Sequence, residues 1–171
     1  MELKLTPLTE VFRRLVAAAP DAPAVTHEGV TVTRSELHRR SNRLARAYEG
    51  RGVREGTMVT IALPNGIEFF EACLAAWKLG ATPQPVSSRS PRLELEQIVE
   101  LADPSLLVGA DVAGRSCIPA GYEPDAQLAD GDLSEKVSAE WKAPTSGGST
   151  GRPKLIGRGT MRRSPRGPGR R

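Results

Sequence analysis

The chain has 171 residues, with 24 Lys and Arg against 20 Asp and Glu and a formal net charge of +4. Apolar residues make up 39% and aromatic residues 4%, and there are 14 Pro and 17 Gly, a composition suited to one domain with a lean core and many turns. No apolar run of about 18 residues is present to span a bilayer, and the first residues lack the apolar stretch and small-residue cleavage site of a secretory signal, which predicts a cytoplasmic protein.

The charge is uneven. Residues 157–171 hold six arginines and no acid, so the first 156 residues carry a net −2 and the basic balance belongs to the end of the chain. That segment has one apolar residue, Met161, and cannot bury enough surface to offset the entropy of ordering. The expected organisation is therefore a folded part over 1–156 and a disordered Arg/Gly/Pro tail over 157–171. A sequence-independent nucleic-acid or anionic-surface binder is the competing reading of the tail, and an accidental charge run is the preferred one. Cys73 and Cys117 are far apart and have no histidines at ligand spacing, so two unpaired thiols are expected rather than a disulfide or a zinc site.

The spacing of Leu8, Val11, Phe12, Leu15 and Val16 predicts an amphipathic helix over Thr6 to Ala19. Thr6 is its expected N-cap, Pro7 its first position and Pro20 its stop. Ala24–Thr26 and Gly29–Thr33 read as two short strands of a hairpin turning at Glu28–Gly29. Thr33 and Glu36 have capping-box spacing, and the helix they open carries Leu37, Leu44, Ala45 and Tyr48 before Gly50 or Gly52. Met58–Leu63 is apolar without alternation, as in a strand buried on both faces.

Pro64–Gly66 then turns into a helix bearing Phe69, Phe70, Cys73, Leu74, Trp77 and Leu79 and stopped by Gly80. Ala81–Val86 reads as a strand that Pro83 and Pro85 confine to an edge. Pro91 opens a helix with Leu93, Leu95, Ile98, Val99 and Leu101, and Ser105–Val108 is the next strand. This alternation predicts an α/β fold, a parallel sheet layered with helices. Residues 110–140 show little periodicity and read as a surface excursion. Phe69, Phe70 and Trp77 are expected in the core. His27 and His38 are expected on the surface, and Glu68, Glu71, Glu94, Glu96 and Glu100 on solvated helix faces.

The segment that carries chemistry is Pro144-Thr-Ser-Gly-Gly-Ser-Thr-Gly-Arg-Pro-Lys154. Glycines at 147, 148 and 151 allow positive φ and close backbone approach. Consecutive N–H groups can then converge on an anion, with hydroxyl donors from Thr145, Ser146, Ser149 and Thr150 and a positive charge from Lys154. The Walker-type loop needs Gly and Lys adjacent, followed by Ser or Thr. Here Arg152 and Pro153 intervene and Leu155 follows, so that pattern does not match.

The segment resembles the phosphate loop of the adenylate-forming superfamily, which includes acyl-CoA synthetases, peptide-synthetase adenylation domains and luciferases. Ser41-Asn-Arg-Leu-Ala45, Leu63-Pro-Asn65, the apolar helix Ile67–Leu79 and Gly80-Ala-Thr-Pro83 are similar to blocks of that family in the same order. Gly147 in place of a second hydroxyl and Leu155 in place of the usual Gly look closer to acid–CoA ligases. The resemblance covers about residues 8–156 and implies an incomplete N-terminal subdomain.

It also implies a reaction. A carboxylate attacks the α-phosphorus of ATP, giving acyl-adenylate and pyrophosphate, and the thiol of coenzyme A then displaces AMP. Thr145, Ser146, Gly147, Gly148, Ser149, Thr150, Gly151 and Lys154 are the implied nucleotide-binding residues, with ATP, Mg²⁺ and coenzyme A in the complete enzyme. The family's Tyr-Gly-x-Thr-Glu block, with its metal-binding Glu, its ribose-binding Asp and its catalytic Lys are not found in these 171 residues. The expectation is thus no catalytic residue and no ligase activity in this chain alone. Pairing with a complementary fragment is a further reading.

Overall fold

The computed structural model describes residues 6–146 and 154–155. The tail expected over 157–171 lies outside the described residues.

The first helix, α1 (Leu8–Ala18), forms where the apolar spacing predicts it, but Pro7 is its N-cap and Thr6 makes no capping bond. Proline lacks a backbone N–H, so it serves as a boundary where a missing donor costs nothing. Phe12 and Val16 are half-buried, while Leu8, Val11 and Leu15 are exposed, so only part of the apolar stripe is covered. Strands β1 (Pro23–His27) and β2 (Val30–Thr33) pair antiparallel, as expected. Glu28 and Gly29 have φ of 50° and 78°. That left-handed pair is a type I′ turn, whose twist matches the strands.

Helix α2 (Arg34–Gly50) opens on the predicted capping box. The Thr33 hydroxyl accepts from the Glu36 N–H, and the Glu36 carboxylate accepts from the Thr33 N–H. The next elements are β3 (Met58–Ile61), α3 (Ile67–Lys78), β4 (Thr82–Pro85), α4 (Arg92–Ala102), β5 (Leu106–Val108) and β6 (Cys117–Ile118). The strands form one parallel sheet in the order β4-β3-β5-β6. The chain leaves β3 for one neighbour and returns past it to the other, which is doubly wound topology and puts its crossover helices on opposite faces.

Side chains in the strands divide accordingly. Val59, Ile61, Leu106 and Val108 pack with α2 and α3, whereas Leu107 and Ala62 pack with Leu95, Ile98 and Val99 of α4. Period-2 alternation with apolar residues on both faces makes these strands continuous apolar runs. Gly109 follows β5 at φ +85°, where a Cβ would stand 2.7 Å from the Ala62 carbonyl oxygen. Only glycine lets the ends of β3 and β5 come this close.

Three expectations need correcting. Residues 110–140 read as a surface excursion, yet Cys117 belongs to β6, whose two residues are too few to carry a periodic signal. Phe70 is 46% exposed and Leu93 75%, on the outward sides of α3 and α4. Phe69 and Trp77 are half-buried and pack at the margin of the core. The edge position of β4 is as expected: Pro83 and Pro85 lie in a strand with a sheet neighbour on one side. Its other side is covered by the chain at 138–143. The Ala143 N–H donates to the Pro83 carbonyl at 3.0 Å, and Thr82 Oγ1 lies 3.1 Å from Ser138 Oγ.

Candidate nucleotide-binding site

The phosphate-loop segment begins where the chain leaves the β4 edge. Trp77 Nε1 donates to the Trp141 carbonyl at 2.7 Å, and with the Ala143–Pro83 bond this fixes the approach to residue 145. Strand β7 (Thr145–Ser146) then pairs antiparallel with β8 (Lys154–Leu155), with Thr145 opposite Leu155 and Ser146 opposite Lys154. Antiparallel partners stand about 5 Å apart at Cα, so the ends of the Gly/Ser/Thr segment meet. Strand β8 lies against α4. Of the predicted site residues, the structure brings together Thr145, Ser146 and Lys154. Gly147, Gly148, Ser149, Thr150 and Gly151 lie outside the described residues. Nothing in the linear pattern predicts this strand pairing except the β-branched Thr145 and the apolar Leu155 at its ends.

A second polar constellation was missed by sequence reasoning. Lys78, the last residue of α3, is 7% exposed. Its amine donates to Asn42 Oδ1 at 2.6 Å, Ser41 Oγ at 2.7 Å and the His38 carbonyl at 2.9 Å, all on α2. These partners are uncharged, and burial pulls the amine down to about 7. His38, expected on the surface, is instead half-buried, with Nε2 2.6 Å from Asp132 Oδ1 and Nδ1 3.4 Å from the Lys78 amine. Burial lowers the imidazole below its ordinary value, and the hydrogen bond from His38 lowers the Asp132 carboxyl.

The imidazole thus faces a carboxylate at Nε2 and the lysine amine at Nδ1. It joins α2, α3 and the 128–132 segment. The Ser41–Ala45 block and Lys78 hold clues, since a lysine within an apolar helical run is unusual. Which acceptors it finds depends on tertiary contact.

Glu71 also departs from expectation. Burial raises its carboxyl, and Arg40 approaches it at 3.4 Å. Glu68 accepts from the Gly121 N–H at 2.7 Å. His27 is exposed, with its ring 3.5 Å from where a Gly66 Cβ would stand. Cys73 is buried and burial pushes its thiol up to about 12, while Cys117 is half-buried. No helix among the described residues is long and apolar enough to cross a membrane.

This parallel layer followed by a hairpin-closed Gly/Ser/Thr loop defines an adenylate-forming type of N-terminal subdomain. Residues 12–157 match the AMP-binding enzyme family, and the chain belongs to it. Curated relatives include the dimodular nonribosomal peptide synthase of Bacillus subtilis (strain 168), 32% identical over 131 residues, which cover 77% of this chain and 6% of that protein. Novobiocin biosynthesis protein H of Streptomyces niveus is 31% identical over 169 residues, covering 87% and 28%. This chain therefore spans less than a third of either.

Among solved structures, the peptide synthetase FmoA3 in an AMPPNP-bound form superposes with a TM-score of 0.78 at 22% identity, covering 91% of this chain and 17% of that one. The N-terminal subdomain of Klebsiella oxytoca NpsA, in complex with 3-hydroxyanthranilyl-AMSN, superposes at 0.74 with 24% identity, covering 89% and 40%. These similarities establish the fold. Two of the proteins named are peptide synthetases, and membership is established at the level of AMP-binding enzymes and not of acyl-CoA synthetases. With most of the chain in an enzyme family, the nucleic-acid reading of the tail is not favoured.

Proposed function

We propose that this chain is the ATP-phosphate-binding portion of an adenylating enzyme. In the longer protein, a carboxylate oxygen attacks the α-phosphorus of ATP. The bond from that phosphorus to the bridging oxygen breaks, and pyrophosphate leaves with the electron pair. Residues Thr145 to Gly151 supply backbone and hydroxyl donors to the β- and γ-phosphates, and Lys154 balances charge that accumulates on the leaving group. Their contribution is positioning and electrostatic stabilisation, with no proton transfer. The observation that supports this most directly is the pairing of Ser146 with Lys154, which closes the loop upon itself.

Among the described residues, no group of three or more His, Cys, Asp or Glu side chains is placed to hold a metal.

The acceptor proposed for the acyl group is coenzyme A, on the strength of Gly147 and Leu155. The curated peptide synthetases favour a second reading, in which the activated acid is a building block for peptide assembly. Supplying the longer protein with ATP, an acid and coenzyme A distinguishes them: acyl-CoA forms in the first case, and the adenylate persists in the second.

Displacement of a fluorescent ATP analogue from the 171-residue chain tests the loop. ATP and pyrophosphate should displace it, AMP should do so at least about tenfold less well, and Lys154→Ala should weaken ATP by about tenfold. Equal displacement by AMP, or an unchanged Lys154→Ala variant, would overturn the assignment.

A further inference from the structure

A groove of about 780 Å³ runs between the start of α1 and residues 136–144. Leu8 and Val11 of α1, Trp77 of α3, and Val137 and Trp141 line it. Val137 is 56% exposed and Trp141 58%, and Leu8 and Val11 are exposed as well. Apolar side chains gathered in one place and left open to water mark a surface that takes a partner.

The chain itself leads into this groove. Thr6 and Pro7, the first described residues, line it, so residues 1–5 set out from its lip. Their sequence is Met-Glu-Leu-Lys-Leu. Apolar and charged side chains alternate, so an extended course gathers Met1, Leu3 and Leu5 on one side and Glu2 and Lys4 on the other. Five extended residues reach roughly 17 Å. The other stretches outside the described residues offer no such face. Residues 147–153 are Gly-Gly-Ser-Thr-Gly-Arg-Pro, and 156–171 hold Ile156 and Met161 among six arginines.

The charges at the rim also match. Lys136 is met by Glu49 at 3.7 Å. Glu140 and Lys142 line the groove too, and among the described residues neither has an ion-pair partner. These two charges are two positions apart, as are Glu2 and Lys4. An antiparallel course sets Lys4 against Glu140, Leu3 against Trp141 and Glu2 against Lys142. It leads on to Thr6 against Ser138, and both of these residues line the groove. A parallel course sets Glu2 against Glu140 and Lys4 against Lys142, like against like.

We propose that residues 1–5 dock in this groove, extended and antiparallel to residues 138–142, with Leu3 and Leu5 covering Trp141 and Val137. Apolar burial supplies the driving force, and the exposed rim charges set the direction. Docking ties the N-terminus to the stretch whose bonds from Trp77 and to Pro83 fix the approach to Thr145.

The chain has two tryptophans, and both line the groove, so their emission reads its occupancy. Leu3→Asp/Leu5→Asp in the 171-residue chain should move emission to longer wavelength and raise the acrylamide quenching constant about twofold. Leu93→Asp, on the outward side of α4, should change neither. Lys4→Glu should give a smaller rise, which Glu140→Lys in the same chain should reverse. Equal quenching in the wild type and Leu3→Asp/Leu5→Asp would overturn the docking. A Lys4→Glu rise that Glu140→Lys leaves in place would overturn the antiparallel course. Wild-type emission that shifts with protein concentration would assign the groove to a second copy of the chain and overturn the proposal.

Discussion

The sheet layer and the strap that follows it are built on different physics. From β3 to β6 the chain is held by apolar burial: Val59, Ile61, Leu79, Leu106 and Leu107 are all fully buried. From 119 to 142 no residue is fully buried. This strap is tied to α2 by polar bonds instead. Asn42 donates to the Asp130 carbonyl, Arg43 to the Leu128 carbonyl, and Arg46 to the Gly131 and Asp132 carbonyls. Burial is non-directional and draws many residues into one cooperative core, whereas each hydrogen bond contributes modestly and locally. The sheet layer should therefore carry the global stability and the strap the local openings.

The contrast is tested hardest by Leu106→Ala, which empties a fully buried site shared with α2 and α3. It should cost about 2–5 kcal/mol in urea unfolding. A loss below about 1 kcal/mol would mean that the core is not close-packed.

Lys78 is the polar exception within the apolar layer, and pH sharpens its role. Its folded-state value, about 7, lies below the ordinary lysine value of 10.5. Between the two, the unfolded chain binds more protons than the folded one, so stability rises with pH across that window. Roughly 1–3 kcal/mol should be gained between pH 7 and pH 9, and Lys78→Met should flatten the rise. His38, lowered from 6.5, acts below that window and does not confound it. A wild-type chain whose stability is flat from pH 7 to pH 9 would contradict the placement of the amine.

Thr33→Ala removes one half of the capping box and should cost about 1 kcal/mol, seen as a lower urea midpoint with unchanged slope. The smallest global effect is expected from Arg46→Ala, which frees two strap carbonyls. Unfolding should shift by less than about 1 kcal/mol, while amide exchange over 128–133 accelerates several-fold. Equal acceleration in β3 and β5 would erase the distinction between the two regions.

Much of this architecture was legible in the linear pattern because it rests on local chemistry. The Thr33–Glu36 box, the Glu28–Gly29 turn, the edge placement forced by Pro83 and Pro85, and the apolar runs of β3 and β5 each depend on residues within a few positions of one another. The Gly/Ser/Thr segment ending in Lys154 is likewise a local cluster, read from the linear pattern as donors on a permissive backbone. Tertiary structure alone decided the rest. β6 exists only because two residues find β5. Lys78 and His38 become a buried pair only when α3 lies along α2. Ser146 meets Lys154 only through strand pairing. Each of these joins groups distant in sequence, and the free energy of such contacts depends on burial and direction in space, which no local periodicity encodes.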